Sequence, residues 1–232
     1  YVMHFAPIGV FAMIAYTVGS YGIAMLIPLG KLILSVACAT ALFICVVALI
    51  ASVFTGINFF HVIRALKDIL FLAFSTASSE AALPGAMKRL EELGVPKTIV
   101  TFVMPTGYSF NLDGSTLYSS AGILFIAQLY GIQMPIEQQL LVMVTLMLST
   151  KGIAGVPGAG IIVVAATAAA FNLPTEGVAI LLGIDRLLDM IRTICNVCGN
   201  CMATVVVACW EKELNKATFN EKYRAFLGGK NS

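Results

Sequence analysis

Apolar positions run along this chain in long blocks, and polar residues break them at recurring intervals. No Asp, Glu, Lys or Arg occurs from Phe5 to Gly30, and none from Leu32 to Ile63. About 20 apolar residues cross a bilayer as a helix, so these blocks predict two ordinary spans joined near Lys31. Then the blocks shorten. Phe59 to Ala73 contains Arg64, Lys67 and Asp68, and the polar run Ser75-Thr76-Ala77-Ser78-Ser79-Glu80 follows. Pro84 is expected to open another short helix, which ends in the charged segment from Lys88 to Lys97. Neither half is long enough to cross a bilayer, so the pair predicts a re-entrant hairpin with a Ser-rich tip. The pattern recurs downstream. Pro135 to Ser149 is a short apolar helix, the run Thr150 to Gly158 is rich in Gly and Pro, and Ala159 to Ala170 forms a second half. Each hairpin is followed by a long segment with polar residues in its middle. Short Gly/Pro-interrupted segments in corresponding positions point to a transport site built from inverted repeats.

Composition narrows the class. The 232 residues are 59% apolar and only 11% charged, with a mean hydropathy of +0.93. Soluble domains carry about 25% charge, so this chain cannot coat a water-facing surface and reads as an integral membrane protein in contact with lipid. The formal charge of +2 gives no electrostatic case for a nucleic-acid partner. Tyr1 already lies inside hydrophobic sequence, with no signal-peptide n-region. The expectation is a fragment of a longer polypeptide that lacks N-terminal spans. Basic residues flank the first hairpin (Arg64, Lys67, Lys88, Arg89, Lys97) and fill the tail (Lys212 to Lys230), which orients both to the cytoplasm. The second hairpin then faces outside, with Lys31 as the exception.

The chemistry sits within the long segments. From Thr98 to Tyr130 the helix is interrupted at Gly107 to Ser115, where two glycines surround Asn111 and Asp113. Local unwinding frees carbonyls, which lipid tolerates only where something satisfies them. Ser109, Asn111 and Asp113 add oxygens suited to a hard monovalent cation or a proton relay; a kinked helix with satisfied side chains is the plainer alternative. In the last segment Asp185, Asp189, Arg192, Asn196 and Asn200 recur at i, i+4, i+7, i+11 and i+15, forming one polar stripe. Arg192 offers a fork for a carboxylate, and Asp189 suits an ammonium. Together they would recognise both ends of an acidic amino acid, unless they form an internal salt bridge. Cys195, Cys198 and Cys201 mimic part of an iron–sulfur run but lack a fourth thiolate, which favours helix packing. His4 and His61 stand near segment ends and read as interfacial. No nucleotide-binding or hydrolase motif appears, so no enzyme is expected. An intramembrane aspartyl hydrolase and a membrane electron-transfer subunit are the competing classes, and both lack their signatures.

Taken together, four pieces resemble the dicarboxylate/amino acid:cation symporter family, with the glutamate-transporter fold. They are Ser78-Ser79-Glu80…Leu83-Pro84, Asn111-Leu112-Asp113-Gly114, Ala154 to Gly160, and Asp185…Asp189-Met190-Ile191-Arg192-Thr193…Asn196. The resemblance covers essentially the whole chain, as the C-terminal portion of a bacterial proton/glutamate symporter-like member. It implies an all-α membrane protein with two re-entrant helical hairpins and an unwound transmembrane helix. It also implies a scaffold (trimerisation) helix at 1–30, a transport domain at 31–216 and a cytoplasmic tail at 217–232. Within the transport domain it places hairpin one at about 59–93, the unwound helix at about 98–130, hairpin two at about 135–171 and the last helix at about 175–212. Members are homotrimers in the cell membrane whose transport domain moves like an elevator.

The resemblance also implies roles. Arg192 matches the residue that holds the substrate's side-chain carboxylate, and Asp189 the one that holds its amine. Thr193 and Asn196 match flanking contacts. Ser78, Ser79 and the backbone of Ile153, Gly155, Val156, Pro157 and Gly158 match the two tips that close on the substrate. Gly107, Ser109, Asn111, Asp113, Asn196 and Asn200 match cation-binding positions. Asn200 stands where sodium-coupled archaeal members carry aspartate, and Lys151 and Ile153 stand at their second-hairpin sodium site. The Lys151 ammonium either occupies the place of a cation or reaches to water. Glu80, where those members have serine, is a candidate proton carrier. Ala77 replaces an arginine frequent in prokaryotic amino-acid members, and Met190 does not restore it. The expected function is symport of L-glutamate or L-aspartate with H+, Na+ remaining open and no other cofactor. The alternative is a C4-dicarboxylate:H+ symporter, which typically lacks the amine-binding aspartate.

Overall fold

Long apolar blocks fold as helices, because only a helix satisfies its backbone internally in a bilayer. The structure, a computed structural model, describes residues 2–151 and 158–228, with the backbone alone for 2–7 and 10. The described residues form helices α1 (Val2–Tyr21), α2 (Leu26–Thr55), α3 (Phe59–Ala65), α4 (Lys67–Thr76), α5 (Ser79–Glu92) and α6 (Lys97–Phe110). They continue with α7 (Asp113–Leu129), α8 (Ile136–Ser149), α9 (Ala159–Ala170), α10 (Glu176–Leu182), α11 (Asp185–Trp210) and α12 (Lys216–Gly228). Ile23–Thr55, which includes a short 3-10 turn ahead of α2, and α11 are long and apolar enough to cross a membrane; α8 and α9 are apolar but shorter.

Local signals set the boundaries. The Asn58 side chain accepts from Phe60 N (3.0 Å) and starts α3. Gly56, at φ +71°, ends α2 with its N–H on Ser52 O (2.9 Å). Such a left-handed end favours glycine. The first short pair departs from expectation. Helix α5 begins at Ser79, with Ser78 Oγ accepting from Ala81 N (3.3 Å), and Pro84 lies inside it. The N-cap hydroxyl, not the proline, starts this helix. Pro84 lies beyond the first turn, so it forfeits the bond its N–H would have made to Glu80 O, and the helix continues past it.

Helix α11 organises the packing. It touches α2, α4, α5, α6 and α7, and most of its apolar stretch is buried, whereas that of α2 is mostly exposed. Two apolar clusters form around it. One joins the end of α2 and α3 to α6 with the second half of α11 and α12, centred on Phe59, Leu90, Met104 and Phe219. The other joins the start of α2 with α7 to α10 and Leu188 of α11. The polar middle of α11 falls between them, which is why polar side chains there are buried and near one another. Cys195, Cys198 and Cys201 are buried free thiols, and Cys198 and Cys201 belong to the first cluster. Among the described residues no metal-binding group of His, Cys, Asp or Glu occurs.

The segment after 216 is more than a tail. It folds as α12 and inserts Phe219 (0% exposed) and Tyr223 into the first cluster. The Tyr223 ring stacks on His61 of α3, with centroids 4.5 Å apart. The Arg89 guanidinium lies over Phe226 (4.5 Å) and also donates to Ala65 O. Phe219→Ala is expected to cost about 3–5 kcal/mol. Because the cavity lies where α12 docks, the loss should appear as faster proteolysis at 211–216, with α11 still protected. Equal proteolysis rates would refute this packing account.

Candidate functional site

Three elements converge at the middle of α11: the break between α6 and α7, the start of α7, and the start of α9. Helix α6 ends at Phe110, Asn111 and Leu112 adopt non-helical backbone (φ −105°, ψ 73° and φ −108°, ψ 56°), and α7 starts at Asp113. The close approach of α7 to α11 depends on Gly114. A Cβ there would meet Cys195 Cβ at 2.7 Å and collide with the Arg192 carbonyl. Gly160 does the same for α9, where a Cβ would meet Tyr118 at 2.9 Å and Arg192 Nη1 at 3.4 Å.

These approaches assemble a buried polar network. Arg192 and Asp189 form an ion pair with side chains 4% and 3% exposed. Arg192 Nη1 donates to Ser115 Oγ (3.1 Å), and Asn196 Nδ2 donates to the same oxygen (3.1 Å). Asn196 Oδ1 accepts from Gly114 N (2.9 Å). Asp189 Oδ2 accepts from Gly158 N (3.0 Å), which ties the start of α9 to α11. Thr193 spends its hydroxyl on Asp189 O (2.7 Å). One turn earlier, Tyr118 OH donates to Asp185 Oδ1 (2.6 Å). Among the described residues, the buried Arg192 Nε has no hydrogen-bond partner. An unpaired buried guanidinium N–H is costly, and an acceptor oxygen such as that of a carboxylate would satisfy it.

A second cluster lies a turn or two along α11. With its amide turned so that the N–H groups meet Asp113, Asn111 donates to both Asp113 oxygens (3.1 and 3.2 Å), and its oxygen lies 3.1 Å from the Asn200 amide. Asn200 packs directly on Gly107, where any Cβ would collide with its amide. Gly199 lets Asp113 Oδ2 approach to 3.1 Å of where a Cβ would stand. A carboxylate and two amides beside a helix break form an oxygen-rich set that suits a monovalent cation or a proton.

The expected site residues thus divide. Arg192, Asp189, Thr193, Asn196 and Gly158 meet in the first cluster, and Gly107, Asn111, Asp113 and Asn200 in the second. Ser79 is buried at the start of α5 and Ser78 caps that helix. Ser109 and Glu80 are exposed, in the last turn of α6 and the first turn of α5. Ile153, Gly155, Val156 and Pro157 lie outside the described residues. Lys151, itself exposed, donates from Nζ to Phe110 O (2.6 Å). Sequence reasoning passed over Ser115, Tyr118 and Arg186. Ser115 had a signal in the polar run it closes. Arg186, which donates to Thr76 O (3.1 Å), had none, since its partner is remote in sequence.

Comparison with known proteins adds independent findings. The profile of the family described as "Sodium:dicarboxylate symporter family" matches residues 1–210. A "Proton/sodium-glutamate symport protein" of Geobacillus stearothermophilus is 52% identical over 215 residues, covering 93% of this chain and 51% of that protein. A "Proton/glutamate-aspartate symporter" of Escherichia coli (strain K12) is 49% identical over 227 residues, 98% of this chain and 52% of that protein. A "C4-dicarboxylate transport protein" of Burkholderia pseudomallei (strain 668) is 44% identical over 225 residues, 97% of this chain and 52% of that protein. The chain spans about half the length of the curated relatives it matches.

Proposed function

Because the chain belongs to the sodium:dicarboxylate symporter family, we propose that the polypeptide containing it is a secondary active symporter of L-glutamate and L-aspartate, driven by H+ with Na+ as a further coupling ion. It is a membrane transporter and not an enzyme. The observation that carries the substrate is the buried Arg192–Asp189 pair. An acidic amino acid exchanges partners with it: the substrate carboxylate takes the guanidinium, and the substrate ammonium takes the Asp189 carboxylate. The exchange keeps Arg192 and Asp189 paired and leaves the substrate's other carboxylate to be balanced by the coupled cation, which matters because an isolated buried ion costs several kcal/mol. The names of the Geobacillus and Escherichia relatives support glutamate, aspartate, proton and sodium.

In this reading α3 to α5 and α8 to α9 are re-entrant hairpins, and α6 to α7 is an unwound spanning helix. Residues 1–30 form the scaffold helix, and 31–216 the transport domain, which moves as an elevator within a homotrimer. Ser78, Ser79, Ile153, Gly155, Val156, Pro157 and Gly158 close the tips on the substrate, with Thr193 and Asn196 beside it. The second cluster, around Asp113 and Asn200, takes the cation, and Asp113 and Glu80 are its proton carriers. The protein resides in the inner (plasma) membrane with the C-terminus cytoplasmic. A second reading, C4-dicarboxylate:H+ symport, draws on the Burkholderia relative. It leaves Asp189 facing a substrate without an amine.

Uptake of labelled L-aspartate into proteoliposomes separates the two. Uptake driven by an imposed proton gradient and blocked by L-glutamate, but not by succinate, is the expected result. Block by succinate alone would establish the dicarboxylate reading instead.

A further inference from the structure

Two helices end partway along the array, and each ends on a basic side chain from a distant part of the chain. Helix α4 stops at Thr76, whose carbonyl accepts from Arg186 Nη2 (3.1 Å). Helix α6 stops at Phe110, whose carbonyl accepts from Lys151 Nζ (2.6 Å). The final carbonyls of a helix lack intrahelical partners and carry the negative end of its dipole. Within a membrane such an end has to be satisfied, and at a broken helix in a transporter a coupling cation commonly does so.

The Lys151 contact is tertiary and held in place. The Asn111 N–H closes the last turn of α6 on Gly107 O (2.7 Å). The Asn111 side chain is engaged by Asp113 and faces Asn200. Opposite, Thr150 is buried, donates to Leu146 O (2.7 Å) and bonds Thr116 Oγ1 (3.0 Å). Thr116 lies in the first turn of α7, so this bond fixes the end of α8 against the break and sets the neighbouring Lys151 over it. The ammonium then brings a full positive charge to a carbonyl that a mobile cation could otherwise coordinate.

Resting on the symport reading above, we propose that Lys151 is a resident cation at the broken end of α6, which takes the place of one coupling sodium ion. Removing its charge should therefore increase the dependence on sodium. Lys151→Met keeps the apolar stem and removes the charge, while Lys151→Arg keeps the charge.

The test compares L-aspartate uptake in sodium and in choline medium, under the same proton gradient, for the parent polypeptide and both variants. The sodium-to-choline ratio should rise about twofold to fivefold in Lys151→Met, the scale of a helix-end charge, and stay at the parent's value in Lys151→Arg. An unchanged ratio in Lys151→Met overturns the inference. Thermal unfolding of the purified proteins with sodium or choline chloride decides the matter without transport. Sodium should raise the Tm of Lys151→Met more than that of the parent, and equal responses overturn the inference. Absence of acidic amino-acid uptake by the parent counts against the symport reading alone, because the unfolding comparison still decides the role of Lys151.

Discussion

Replacing Arg192 by Met is expected to reduce L-aspartate uptake at least about a hundredfold and to lower stability by about 3–5 kcal/mol, the usual penalty for breaking a buried ion pair. The two losses have different origins. Stability falls because the Asp189 side chain, 3% exposed, loses the guanidinium, with Gly158 N–H (3.0 Å) left to donate to it. Uptake falls because the fork that receives the substrate carboxylate is gone. The double variant Arg192→Met, Asp189→Leu separates them, since replacing both members of a buried pair by apolar residues is often neutral or stabilising. Thermal unfolding should recover in the double variant, while uptake stays absent. Recovery of uptake as well would make Arg192 a structural residue.

Asp189→Asn is expected to change selectivity as well as stability, since it too breaks the buried pair and leaves the Arg192 guanidinium without its counter-charge. The amide is nearly isosteric, and its oxygen can still accept from Gly158 N, the contact that ties α9 to α11. What disappears is the negative charge opposite the substrate ammonium. A charge-assisted hydrogen bond contributes about 1.5–3 kcal/mol, so the affinity for L-aspartate should fall by about tenfold to a hundredfold. Arg192, released from its partner, remains available to a carboxylate. Succinate, expected to compete poorly in the parent, should therefore approach L-aspartate in potency. Competition of labelled L-aspartate uptake by both compounds checks this, and retained discrimination would remove Asp189 from amine recognition.

Helix positions were largely legible because charge and apolarity alternate in blocks. The expected first pair at about 59–93 corresponds to Phe59–Glu92, and the expected interruption within about 98–130 falls at Asn111 and Leu112, between α6 and α7. Pro84 misled because proline is a conspicuous breaker, whereas the hydroxyl of Ser78 starts the helix five residues ahead of it. The docking of α12 was hidden for another reason. Phe219 and Tyr223 are ordinary residues in a basic tail, and only the fold supplies the His61 face that receives the Tyr223 ring.

The candidate site shows the same division. The stripe from Asp185 to Asn200 follows helical periodicity, so its members could be placed on one face without a structure. Contacts between elements could not. Ser115 bridges Arg192 and Asn196, and Lys151 and Arg186 reach the ends of broken helices. Such pairs depend on how α7, the end of α8 and α11 pack. The glycines carry a trace of that packing. Gly114 and Gly160 stand where two backbones or rings approach too closely for a side chain.

The exchange of partners at Arg192 and Asp189 is the centre of this account, and two ligands with the same carbon chain test it directly. L-glutamate carries the ammonium that Asp189 would receive, and glutarate lacks it. Displacement of bound labelled L-aspartate from the purified polypeptide containing this chain should require at least about tenfold more glutarate than L-glutamate, the scale of one charge-assisted hydrogen bond. Equal displacement by the two would contradict the exchange and leave the pair as a purely structural salt bridge.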